Sequence, residues 1–292
     1  MKARRLTLVC GLWLGCGALA LAEDGKAYQS FESTPMRQSA EEVEDLGEIA
    51  PDDGRSELRS KFRANVNFRS EYTSNAQLSG KHGSGDVLFF PGAELGFNTD
   101  LGHGFGLDLS TRLESALYAR HDERAFIGYS AAATLDWRPK PNLPRVYVSA
   151  EPYRYDSFEA GGLLTQAVGL SAGTDWGFAF NKGNSLAFVG YSFTNYFSDP
   201  SIDNRTAHRA IVGVVHHFRP QFYGQAFYSY QYSDFQDVDR ADSRHILGLS
   251  LTYQFNRRLF GTLSGSFIDS DSTQDRASYQ SALVSAGVTL QF

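Results

Sequence analysis

Cysteine, proline and long apolar runs are what this chain has least of. Its two cysteines, Cys10 and Cys16, both lie near the start, so residues beyond them can form no disulfide and carry no thiol chemistry. The nine prolines are too few for a proline-rich linker or a loop-dominated fold. No stretch after the start has the roughly eighteen consecutive apolar residues of a membrane-crossing helix, so a bilayer crossing would have to be built from strands. Positive charge is also in deficit. Against 33 Asp and Glu there are 27 Lys and Arg, a formal net charge of -6 that argues against a nucleic-acid partner.

What is abundant is aromatic and interleaved. Twenty-two Phe and fifteen Tyr sit in a 292-residue chain whose mean hydropathy is still negative, so apolar residues must alternate with polar ones rather than mass together. The start reads as a targeting segment. Lys2, Arg4 and Arg5 precede an apolar run from Leu6 to Ala22, and Ala20-Leu21-Ala22 offers a small-x-small cleavage site before Glu23. Residues 1–22 are therefore expected to be a cleaved signal peptide; a lipoprotein cut before Cys16 fits Trp13-Leu14-Gly15 poorly. Residues 23–60 show no strand pattern and form an acidic, mostly irregular leader, with a capping box at Ser39-Ala40-Glu41-Glu42 marking one short helix before Pro51.

At Lys61 the period becomes two. Phe62, Ala64, Val66 and Phe68 alternate with Arg63, Asn65, Asn67 and Arg69. Eleven further segments follow the same rule, centred near Leu95, Leu109, Ala133, Val148, Ala172, Val189, Val212, Ala226, Leu249, Leu263 and Val288, which predicts twelve strands over residues 61–292. Short turns are expected around Gly102, Lys140, Lys182, Pro220 and Arg257, and longer polar loops at 74–86, 119–125, 156–165, 198–206, 234–243 and 269–280. Phe97, Trp137, Phe180, Phe218, Phe255 and Phe292 recur at roughly forty-residue spacing, each expected to end an even-numbered strand on its apolar face. In a membrane such rings would form an interfacial girdle, with Tyr72, Tyr191, Tyr230 and Tyr232 supplying another at the far end.

The final segment, Ser281 to Phe292, has Ala282, Val284, Ala286, Val288, Leu290 and Phe292 on one face and polar residues on the other. Together with the alternating connections, it resembles the closing strand of bacterial outer-membrane β-barrels; the tyrosine-rich hairpins look like those of the loosely defined porins in that class. The resemblance implies an all-β fold, a twelve-stranded antiparallel up-and-down transmembrane β-barrel. It also implies the outer membrane of a diderm bacterium, with outer-membrane lipid as surroundings and a barrel-assembly machinery that reads the C-terminal strand.

If the apolar faces meet lipid, the alternate positions line the lumen. In the first half these are charged: Arg63, Arg69, Glu71, Glu94, Asp108, Arg112, Glu114, Asp136, Arg138, Glu151 and Asp175. In the second half they read as mostly neutral and polar, among them Ser229, Gln231, Ser250, Thr252, Gln254, Thr262, Ser264, Ser285 and Thr289. Such a lumen suits passive diffusion of small polar solutes. The alternative is a closed structural or surface-interaction barrel acting through acidic external loops, and a rim or lumen hydrolase ranks third.

The expected activity is non-enzymatic. Asp237, Asp239, Asp269, Asp271 and the pair Asp242 and His245 match omptin-type outer-membrane proteases in residue type but not in order or spacing. A Ser–His pair like that of outer-membrane phospholipases could be assembled from different strands. No cofactor or metal site is expected. His216 and His217 would point to opposite faces of a strand, and the run Asp269 to Asp275 lacks the turn Gly and closing Glu of a calcium loop.

Overall fold

The structure, a computed structural model, describes residues 61–292 apart from 77, 79–82, 141–142 and 159–161. The expected signal peptide, residues 1–22, and leader, residues 23–60, lie outside the described residues. Twelve strands follow one another: β1 (Lys61–Thr73), β2 (Asp86–Gly102), β3 (Phe105–Tyr118), β4 (Phe126–Trp137), β5 (Arg145–Ser157), β6 (Leu163–Phe180), β7 (Ser185–Asp199), β8 (Arg205–Arg219), β9 (Phe222–Phe235), β10 (Arg240–Gln254), β11 (Leu259–Ser272) and β12 (Tyr279–Gln291). Every expected strand centre falls inside its strand. Each strand pairs antiparallel with its sequence neighbours, and β1 pairs with β12, which closes the barrel. The seam runs from Asn65 opposite Gln291 to Thr73 opposite Leu283, and the Phe292 amide extends it by donating to the Ala64 carbonyl at 2.8 Å.

Alternation builds two faces. On β10, Leu247 and Leu249 point outward and are more than half exposed, while Arg244, Ser250 and Thr252 are buried inside. On β12, Val284 and Val288 face out and Ser281 and Ser285 face in. The apolar outer face is what lipid requires, and closure leaves no strand edge unpaired.

The connections differ from expectation in one respect. The turns at 103–104, 138–144, 181–184, 220–221 and 255–258 fall where predicted, but the opposite connections at 158–162, 200–204, 236–239 and 273–278 are shorter than the polar stretches suggested. Residues such as Arg205, Arg240, Asp242 and Asp269 read as loop by polarity yet sit in the strand ladders. An inward or mouth-facing polar side chain does not disturb pairing, so polarity marks the limit of the apolar band and not of the strand. We call the end with the short turns and both barrel termini the turn end, and the other the loop end.

Inside, one row crosses the wall from β7 to β10: Phe188, Gly213, Phe227 and Gly248 are successive cross-strand partners. Each ring lies over the glycine of the next strand, and a Cβ at Gly213 or Gly248 would run into Phe188 or Phe227. The missing side chains make room for rings flat against the sheet, the arrangement by which an aromatic covers a glycine on a neighbouring strand.

Two outcomes follow. Gly248→Val should destabilise the barrel by about 1–3 kcal/mol, read as a lower denaturant midpoint in detergent, and Phe227→Ala in the same chain should recover part of the loss. Deleting Phe292 removes a seam hydrogen bond and should lower the yield of barrel that resists unfolding in SDS without heating; equal yield would show that the seam ends at Gln291.

Candidate functional site

The barrel interior gathers the charged residues that the alternation places there. On β1 to β3, the Arg63 guanidinium donates to both oxygens of Asp108, at 2.8 and 3.2 Å, and its Nε lies 3.4 Å from Glu94. Arg112 donates to the other Glu94 oxygen at 2.7 Å. Arg63 reaches across β2 to β3 because its partner there is Gly96, where a Cβ would collide with the Arg63 side chain. These four side chains remain 14–19% exposed, partly hydrated ion pairs rather than a dry core.

The other expected charged residues fall into separate groups. Arg69 lies 3.7 Å from buried Glu71 and stacks over Phe90 at 4.2 Å. Asp175 is buried opposite Arg145, which donates to it at 2.8 Å, and Arg138 reaches its second oxygen at 3.3 Å. Asp136 is half-buried opposite Gly106, Glu114 flanks Gly128, and Glu151 is buried on β5. The eleven residues thus share one face but form no single cluster.

The second half of the interior differs from expectation. Alongside Ser229, Ser250, Thr252 and Ser285 it carries four buried arginines, Arg205, Arg209, Arg240 and Arg244. Register sets them in two rows: Arg205, Phe235 and Arg240 are cross-strand partners, as are Arg209, Gln231 and Arg244. Arg205 stacks over Tyr196 at 4.6 Å and Arg240 over Phe235 at 4.4 Å, while Asp242 accepts from Arg240 Nε at 2.9 Å. Spacing by four on a strand returns to the same face, and that signal was present in Arg205 and Arg209 and in Arg240 and Arg244.

The interior also has an apolar belt. Leu186, Phe188, Ile211, Val215, Phe227, Ile246, Ile268, Leu283 and Tyr279 pack together along β7 to β12 and extend to Leu88 on β2. A second cluster, including Phe126, Tyr153, Tyr155 and Tyr196, continues it along β3 to β8, with Phe90 and Tyr118 packed against both. In these strands both faces are apolar at this level, so alternation alone could not say which one met lipid.

The outer face carries rings at the turn end. Trp137, Phe180, Phe218, Phe255 and Phe292 are exposed at or beside the ends of their strands, and Trp137 packs against Phe105 at 6.2 Å. Phe97 departs from the pattern: β2 continues past it to Gly102, and its ring is half-buried against Phe62 at 4.8 Å. At the other level, Tyr191 bonds His208 and Tyr228 bonds His245, both at 2.7 Å.

The acid–base pairing of Asp242 with His245 does not form, because Asp242 turns inward to Arg240 and His245 outward to Tyr228. His216 and His217 do face opposite ways, onto Phe218 and Tyr223. Strand β11 runs through Asp269 and Asp271 to Ser272, so no closed calcium loop forms there. Among the described residues no group of three or more metal-ligating side chains is gathered.

Comparison with known proteins agrees with this architecture. Residues 163–292 match the family model described as "Putative beta-barrel porin 2". No curated protein matches the chain in sequence. Among solved structures, an outer membrane channel from Pseudomonas putida F1 superposes with a TM-score of 0.55 at 9% identity, covering 83% of this chain and 99% of its own. The KdgM porin gives 0.47 at 10% identity over 78% and 99% of the two chains, and the translocator domain of the autotransporter NalP from Neisseria meningitidis gives 0.46 at 10% over 88% and 98%.

The Arg63 network supplies a test of interior coupling. Arg63→Ala leaves Asp108 and Glu94 facing each other without their shared cation and should cost about 2 kcal/mol. The double variant Arg63→Ala, Asp108→Ala should be less destabilised than the sum of the two single changes, a non-additivity measurable by denaturant titration in detergent.

Proposed function

Taking this chain as a porin-like barrel of the bacterial outer membrane, we propose that it is a channel through which small polar solutes diffuse passively. In this reading Arg63, Arg69, Glu71, Glu94, Asp108, Arg112, Glu114, Asp136, Glu151 and Asp175 line the path. The observation that carries it is the Arg63, Glu94, Asp108 and Arg112 network, an inward-facing charged surface that keeps water contact instead of packing dry. A wall of this kind selects by charge and size without a dedicated binding site. The turn end then faces the periplasm, its rings lie among the inner-leaflet headgroups, and the assembly machinery reads β12 through Phe292.

A second reading, a closed structural or surface-interaction barrel, is favoured by the apolar belt, whose residues are almost fully buried. Conductance separates the two. In a planar bilayer the channel reading expects discrete steps above the lipid background, recorded for the chain with and without residues 23–60; a silent membrane in both forms supports the closed barrel. Where steps occur, Arg63→Glu, Arg69→Glu and Arg112→Glu should each move the reversal potential in a salt gradient toward greater cation preference. Unchanged potentials would place the path elsewhere.

A further inference from the structure

A second constellation sits at the loop-end mouth, where residues 83–86 meet residues 119–125, and the interior reading does not use it. Asp86, the first residue of β2, has a fully buried side chain. Its Oδ1 accepts from the Val87 amide at 2.7 Å, and its Oδ2 from the amides of Arg120 and His121 at 3.2 and 3.1 Å. That same oxygen lies 2.8 Å from His121 Nδ1. A carboxylate fixed by three amides holds the proton on Nδ1, which leaves the Nε2 lone pair free to accept. The Ser84 hydroxyl stands 3.2 Å from Nε2.

Ser84 is tied in through its backbone. Its carbonyl accepts from the Ala76 amide at 2.8 Å, and the Ala76 carbonyl in turn accepts from Arg124 at 3.2 Å, which ties the two segments together. Glycines flank it. A Cβ at Gly83 would strike the Asn75 side chain, and one at Gly85 would strike the Tyr72 hydroxyl, so the chain must come this close to place Ser84 where it is. Neither neighbour has a side chain to shield the hydroxyl, and Ser84 meets solvent.

We propose that Ser84, His121 and Asp86 are a hydrolytic site for short-chain carboxylic esters of polar molecules at the barrel mouth: Ser84 the nucleophile, His121 the general base, Asp86 the residue that positions it. A nucleophile within hydrogen-bond reach of a base that a buried acid orients is the arrangement acyl transfer requires. The Asn75 amide beside Gly83 and the Tyr72 hydroxyl beside Gly85 make the surroundings of Ser84 polar, which suits a small polar ester better than a fatty acyl chain. Ser84 Oγ adds to the ester carbonyl carbon as its proton passes to His121 Nε2 and the carbonyl electron pair moves to oxygen. Re-forming the carbonyl breaks the bond to the alkoxide, which leaves with the proton from Nε2. Water then adds to the acyl carbon, giving a proton to Nε2, and collapse releases the carboxylic acid and returns the proton to Ser84 Oγ.

The proposal does not depend on the channel reading, and its test keeps the two apart. The full chain, folded in detergent, is treated with a fluorophosphonate probe and separately assayed with p-nitrophenyl acetate. The expected result is probe attachment at Ser84, located by peptide mass spectrometry, with hydrolysis that falls to background in Ser84→Ala and at least about a hundredfold in His121→Gln. Folding of each variant is checked by resistance to unfolding in SDS. If His121→Gln does not fold, Ser84→Ala, which removes one hydroxyl at the surface, decides alone. No attachment, attachment at another serine, or hydrolysis unchanged in Ser84→Ala would overturn the proposal and leave the contact as a staple between two segments. Conductance of Ser84→Ala, expected at the unsubstituted level, reports on the channel independently.

Discussion

Everything in this barrel depends on the seam between β1 and β12. In hydrocarbon no water satisfies an unpaired amide or carbonyl, and each one left exposed costs several kcal/mol. A sheet survives there only by pairing its first strand with its last. Once that seam is closed, the period-two geometry of every strand divides its residues between lipid and interior, and no residue escapes the division. The aromatic rings near strand ends and the glycines beneath inner rings are refinements of that one partition.

The interior meets the same requirement in two ways. From β1 to β3 the side chains are charged, and space left at Gly96 lets one guanidinium serve acids on two strands. From β7 to β10 the wall is lined by rings laid over glycines, with arginines flat on Tyr196 and Phe235 above them. Cation–π stacking adds to what holds a buried arginine among aromatics, since the ring face carries negative potential. The part-exposed charges of β1 to β3 and the rings over glycines of β7 to β10 therefore occupy different sectors of one cylinder.

Much of this was legible in the sequence because strand alternation is a local signal. Strand number, order and the face of residues such as Val284 and Ser285 follow from parity alone. What parity cannot resolve is a strand that is apolar on both faces, as β8 is with Ile211 and Val215 inside and Val212 and Val214 outside. Parity is also silent on contacts between connections. Ser84 and Asp86 meet His121 because two neighbouring hairpins bring their loop ends together, whereas spacing along the chain sets Ser84 two residues from His82 and says nothing of His121. The arginine rows were legible in principle, since their spacing by four was in plain view, but weight given to Ser and Thr obscured them.

The seam has one more consequence, which concerns time. Its partners are drawn from opposite ends of the barrel sequence, so the contact that completes the ladder is also the one with the greatest chain separation. Every other pairing joins adjacent strands and can zip hairpin by hairpin. Non-local pairings are slow because loop closure must be met before they add stability. Until β12 is made and delivered to β1, the growing sheet has two raw edges, each a template for any other strand it meets. Such a chain is most vulnerable to aggregation just before it is finished, when both edges are exposed at once.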